Sequence, residues 1–127
     1  MSLRQYEAVM KAVADPTRVR ILKMLEPGEL CVCQIIAVLA LSPSTVSRHL
    51  SLLKSAALVN DRKEKKWVHY SLARESDAPY VAGILRQLGG WLANDKTILG
   101  DRERLAEARK DVGPSACGAL FCIEGTP

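Results

Sequence analysis

The chain has 127 residues, of which 48% are hydrophobic, 25% charged and 5% aromatic, with a formal net charge of +4. That is the size and balance of one globular domain, which excludes a disordered, fibrous or collagen-like polymer. The longest apolar stretch, Ile35 to Leu41, is far short of the roughly 20 residues of a membrane helix, and Met1-Ser2-Leu3-Arg4 opens no secretory signal, so a cytoplasmic protein without a membrane partner is expected.

Tyr6, Val9, Met10 and Val13 recur at helical spacing and predict a first helix over residues 3–14, ended by Asp15-Pro16. Asp15 as N-cap and Pro16 at the first helical position then start a second helix, whose apolar residues Val19, Leu22 and Leu25 run to Pro27-Gly28. A third helix is predicted from about Leu30 to Leu39. Ser42-Pro43 repeats the cap-then-proline device, and Val46, Leu50 and Leu53 give the buried stripe of a fourth helix ending near Ala56-Ala57. After Leu58 the period changes to two, and the runs 58–62 and 67–72 flank Lys63-Glu64-Lys65-Lys66 as a charged hairpin turn. From Ala78 onward Val81, Ile84, Leu85, Leu88, Trp91 and Leu92 mark one long amphipathic helix reaching toward Lys110, with a weak point at Gly89-Gly90. Residues 113–127 show no sustained periodicity and read as a flexible tail on a domain of residues 1–112.

This order gives a mainly α fold with a small β-hairpin, the winged helix-turn-helix pattern in which the second helix of the pair enters the major groove of double-stranded DNA. Between Ser42 and Glu75 there are seven basic and three acidic residues, while the rest of the chain has eleven of each. One third of the sequence therefore carries the whole positive excess, as a polyanion-binding surface requires. Opposite the apolar stripe of the fourth helix stand Ser44, Thr45, Ser47, Arg48 and Ser51. Short hydroxyls can donate to phosphates or base edges at close range, and an arginine fork suits guanine or phosphate. Arg62, Lys63, Lys65 and Lys66 would grip the DNA backbone or the minor groove. His49 borders the recognition face and His69 shares a strand side with Trp67; each is open to a phosphate contact or to packing.

Asp15-Pro16-Thr17-Arg18, Glu29-Leu30-Cys31-Val32-Cys33, Ser47-Arg48-His49-Leu50, and Asp61-Arg62-Lys63 followed by Trp67-Val68-His69-Tyr70 together resemble the ArsR/SmtB family of metal-responsive repressors. The similarity covers roughly residues 5–72, and the Leu-Cys-Val-Cys segment most resembles the arsenic-responsive branch. The resemblance implies a homodimer built on the first and last helices, bound to an operator upstream of resistance genes and released by an inducer.

A reducing compartment leaves the four cysteines available for metal or redox chemistry. Cys31 and Cys33 stand at the start of the third helix, where the helix dipole stabilises the thiolate, the form that binds soft ions. Residues i and i+2 diverge on a regular helix, so joint capture of one ion requires a distorted first turn. Such a distortion would tilt the helix and displace the recognition helix beside it. Members of the resembled branch often carry a third cysteine three residues beyond the second, where this chain has Ile36. Cys117 or Cys122 is the candidate replacement, for As(III) or Sb(III), unless the site binds through two thiolates only. The alternative is a tetrahedral four-sulfur site for Cd(II), Pb(II) or Zn(II). Paired carboxylates, a nucleophile-base arrangement and a phosphate loop are all missing, so no enzyme is expected. The reading from another class is a small thiol oxidoreductase using the Cys31/Cys33 pair.

Overall fold

The computed structural model describes residues 2–111. The elements follow in the order α1 (Leu3–Ala12), α2 (Pro16–Met24), β1 (Leu30–Cys31), α3 (Val32–Leu39), α4 (Pro43–Ser55), β2 (Val59–Glu64), β3 (Trp67–Leu72), α5 (Pro79–Gly90) and α6 (Lys96–Asp111). Predicted caps account for the two helix starts that matter most. The Asp15 carboxylate accepts from the backbone N–H of Thr17 at 2.7 Å and of Arg18 at 3.2 Å, and Ser42 Oγ accepts from Thr45 N at 3.2 Å. Each is followed by a proline whose missing N–H has no role in a first helical turn.

The axes of α3 and α4 turn by 117° across a three-residue connection, Ala40 to Ser42. Ala40 makes that turn possible by adopting the left-handed conformation (φ 56°) and closing α3 with an N–H to the Ile36 carbonyl at 2.9 Å. Below them, Ile21, Ile35, Val46, Leu50, Leu53 and Leu58 have no exposed surface, so the helical pair and the strand that follows share one core with α2.

Three predicted features are corrected. Leu30 does not begin a helix: Leu30 and Cys31 form a short strand on the far edge of the hairpin, giving a three-stranded antiparallel sheet in the order β1-β3-β2. Backbone pairing with β3 draws these two residues out of the helical register. The charged hairpin turn is shorter than predicted, because Lys63 and Glu64 pair with Val68 and Trp67 and leave only Lys65-Lys66 as the turn. Lys65 has φ 60°, the positive value that two-residue hairpin turns use to match strand twist.

The long last helix is two helices. α5 stops at Gly90, Leu92 takes φ 64°, and Asp95 starts α6 by accepting from Thr97 N at 2.9 Å and Ile98 N at 3.2 Å. The break is fixed from α2. Lys23, 2% exposed, donates Nζ to the carbonyls of Leu88 and Trp91, both at 2.7 Å, and meets Glu26 at 2.8 Å. α6 then folds back across α2 and α3, anchored where Arg20 donates Nε and Nη2 to Asp101 at 2.9 and 2.8 Å. No single helix among the described residues is long and apolar enough to cross a membrane.

Candidate functional site

The apolar stripe of α4 is buried as its spacing requires, with Val46, Leu50 and Leu53 fully covered, and this leaves Ser44, Ser47, Arg48 and Ser51 exposed on the other side. Thr45 is only partly exposed, and its hydroxyl lies 2.8 Å from Ser42 Oγ, which places it in the cap of the helix. His49 is also partly buried. Its Nδ1 faces Arg18 Nη1 at 3.3 Å, and the same guanidinium donates to the Ala12 carbonyl at 2.8 Å and the Lys11 carbonyl at 3.2 Å. His49 and Arg18 thus tie α4 to α2 and to the end of α1. Sequence reading left Arg18 without a role, although it closes the Asp15-Pro16-Thr17-Arg18 motif.

On the hairpin, Lys63, Lys65 and Lys66 are exposed and make no ion pair among the described residues. Arg62 differs from them. It donates Nε and Nη2 to the two carboxylate oxygens of Glu29 at 2.7 Å each, and Nη1 to Glu64 at 3.0 Å. These hydrogen bonds hold the Glu29 carboxyl below the usual carboxylate range and favour the charged guanidinium. Glu29 carried no assignment in the sequence reading, because its partner lies 33 positions away.

Cys31 and Cys33 are 2% and 0% exposed, and their sulfurs lie 2.7 Å apart. The expected need for a distorted helix is removed by the backbone: Cys31 is the N-cap of α3, with extended φ −72° and ψ 146°, so only Cys33 belongs to the helix. An extended residue followed by the first helical turn directs both side chains to one place. Gln34 Oε1 accepts from the Cys31 N–H at 3.0 Å and fixes that junction. Ile36, where members of the resembled branch often carry a third cysteine, is a core residue. Among the described residues no group of three or more His, Cys, Asp or Glu side chains is placed to hold a metal ion. Cys117 and Cys122 lie outside the described residues.

A tight helical pair exposing serines and an arginine on its second helix, with a lysine-tipped hairpin beside it, defines a winged helix-turn-helix DNA-binding regulator. Comparison with known proteins makes this more specific. The family model described as "Bacterial regulatory protein, arsR family" matches residues 15–61. The arsenic resistance transcriptional regulator ArsR1 of Pseudomonas putida is 39% identical over 111 residues, covering 86% of this chain and 84% of the relative. The arsenical resistance operon repressor of Escherichia coli is 48% identical over 66 residues, 51% of this chain and 56% of the relative. Among solved structures, HlyU from Vibrio cholerae superposes with a TM-score of 0.62 at 32% identity, covering 74% of this chain and 100% of that one. The chain belongs to the arsR family of bacterial regulatory proteins, and it is a DNA-binding transcription regulator, not an enzyme.

Proposed function

We propose that the chain represses a metalloid-resistance operon and leaves its operator when thiolates of Cys31 and Cys33 capture trivalent arsenic or antimony. The observation that carries this reading is the 2.7 Å approach of the two sulfurs at the junction of β1 and α3. Two sulfurs brought together at the start of a short helix that runs directly into the turn before α4 can, as thiolates in the reduced protein, report a bound soft ion to the recognition surface. Cys117 or Cys122 completes the set as a third thiolate.

Ser44, Ser47, Arg48 and Ser51 read the DNA in this proposal, with Thr45 capping and His49 positioning the helix that carries them. Lys63, Lys65 and Lys66 grip the backbone, and Arg62 joins them from β2. The functional unit is a cytoplasmic homodimer. Its support is apolar surface on the elements at both ends of the described fold: Leu3 and Tyr6 on α1, Trp91 and Leu92 after α5, and Leu99 on α6 are all exposed.

Fluorescence anisotropy on promoter DNA tests the reading, with reduced protein and added arsenite, antimonite, cadmium, zinc or lead. Release by arsenite or antimonite, abolished by Cys31→Ser and by Cys33→Ser with DNA binding retained, is the expected result. Release by the divalent ions alone would transfer the protein to a four-sulfur sensor of Cd(II), Pb(II) or Zn(II). Cys117→Ser and Cys122→Ser identify the further ligand.

A further inference from the structure

Cys31 belongs to two elements at once. It caps α3, and through β1 it is the register partner of His69, which in turn faces Arg62 on β2. Residues opposed across antiparallel strands present their side chains to one face of the sheet, roughly 5 Å apart at Cβ. Cys31, His69 and Arg62 therefore form a single row from the cysteine pair to the basic strand of the wing. A second link runs outside this ladder, where the Glu29 carboxylate, two positions before Cys31, holds Arg62 by both Nε and Nη2.

The second link is unexpected in a DNA-binding wing. A carboxylate on a cation facing DNA opposes phosphate binding, and neither base reading nor ion capture calls for one there. A two-point fork does, however, fix direction as well as distance. It ties the middle of β2 to the strand that carries Cys31. β1 has only two residues, each paired to β3, so a small displacement of Cys31 costs a large fraction of its ladder.

We infer that β1, with Glu29 as a positioning residue, makes the placement of the wing depend on the state of the cysteine pair. Ion capture then withdraws the wing from DNA. This inference rests on the reading of Cys31 and Cys33 as the ion site.

Hydrogen exchange on the full-length reduced protein, with and without arsenite, tests it, and arsenite binding is read independently by the ultraviolet absorbance of the arsenic-thiolate bond. In the wild type, arsenite should accelerate exchange across residues 59–72 by about tenfold, the equivalent of one net ladder hydrogen bond. Glu29→Gln should bind arsenite with unchanged stoichiometry, show the faster wing exchange without arsenite, and release the operator by a smaller factor when arsenite is added. Lys66→Gln, which removes a wing cation outside the link, should weaken DNA binding and leave both the exchange pattern and the release factor at wild-type values. Arsenite bound with wing protection unchanged, or a Glu29→Gln protein with wild-type exchange and release, would overturn the inference while leaving the ion site standing. Absence of the absorbance band in the wild type would defeat the ion site itself, and the inference with it.

Discussion

Replacing Asp101 with asparagine removes a charge that is 1% exposed and that joins α6 to α2. Arg20 holds it from α2 with hydrogen bonds of 2.9 and 2.8 Å, and Arg104 adds a third of 2.6 Å. Asparagine keeps the shape but offers one acceptor oxygen and one donor nitrogen, so at least one guanidinium N–H faces a donor. Removing one partner of a buried ion pair costs about 3–5 kcal/mol. The side chains of Arg20 and Arg104 are 24% and 52% exposed and can recover part of that from water, which brings the expected loss to about 2–3 kcal/mol.

Urea unfolding at pH 7 and fixed protein concentration, followed by circular dichroism, measures this directly. The pH dependence provides a second check. Burial alone would raise the Asp101 pKa, but the hydrogen bonds and charges of Arg20 and Arg104 outweigh it and hold the carboxyl below its ordinary value of 3.8. A folded-state pKa below the unfolded one means that the stabilisation is complete above 3.8 and is lost as pH falls through the folded value. The gap between wild type and Asp101→Asn should therefore be constant from about pH 7 to 5 and narrow below about pH 4. A gap under about 1 kcal/mol at pH 7, or one that persists undiminished in acid, would refute the assignment of Asp101 as a charge-held anchor.

Three other outcomes follow from the geometry. Ala40→Gly should raise stability by about 0.5–1 kcal/mol in the same urea assay, because the left-handed φ of 56° that closes α3 suits glycine better than alanine. Lys23→Met should destabilise by about 2 kcal/mol, since the carbonyls of Leu88 and Trp91 lose their buried donor; hydrogen exchange should then show fraying at the end of α5. Replacing Lys65 or Lys66 by glutamine should weaken binding to all DNA sequences and lower the salt slope by about one, whereas Ser47→Ala and Arg48→Met should also change sequence preference. A uniform effect from all four would show that reading and gripping residues have been misassigned.

What the sequence made legible was local. Asp15-Pro16 and Ser42-Pro43 start helices through contacts within three residues, and the Val46, Leu50, Leu53 stripe needs only the helical period, so both were readable without a partner. β1 was not, because two residues carry no periodicity and become a strand only when β3 lies alongside. The same distant pairing makes Cys31 a cap instead of a helical residue, which is why the convergence of the two sulfurs could not be foreseen from their i, i+2 spacing. Gly89-Gly90 marked a weak point, but whether the chain broke there depended on Lys23 reaching across from α2. Roles for Arg18, Glu29 and Asp101 were invisible for a related reason. The partners that tie them to other elements, His49, Arg62 and Arg20, stand 31, 33 and 81 positions away.

The near-complete burial of Cys31 and Cys33 also determines how fast they can respond. A thiophilic reagent cannot reach a sulfur with 0% exposure until the surrounding chain opens, so capture as proposed would be a local opening followed by reaction. At low concentration the observed rate should rise with the amount of reagent. Once reaction outpaces reclosing, the rate should level off at the opening frequency of the fold. Arsenite and an unrelated small alkylating agent should then reach the same ceiling, and the response time of the reduced protein becomes a property of its packing instead of the affinity of its thiols.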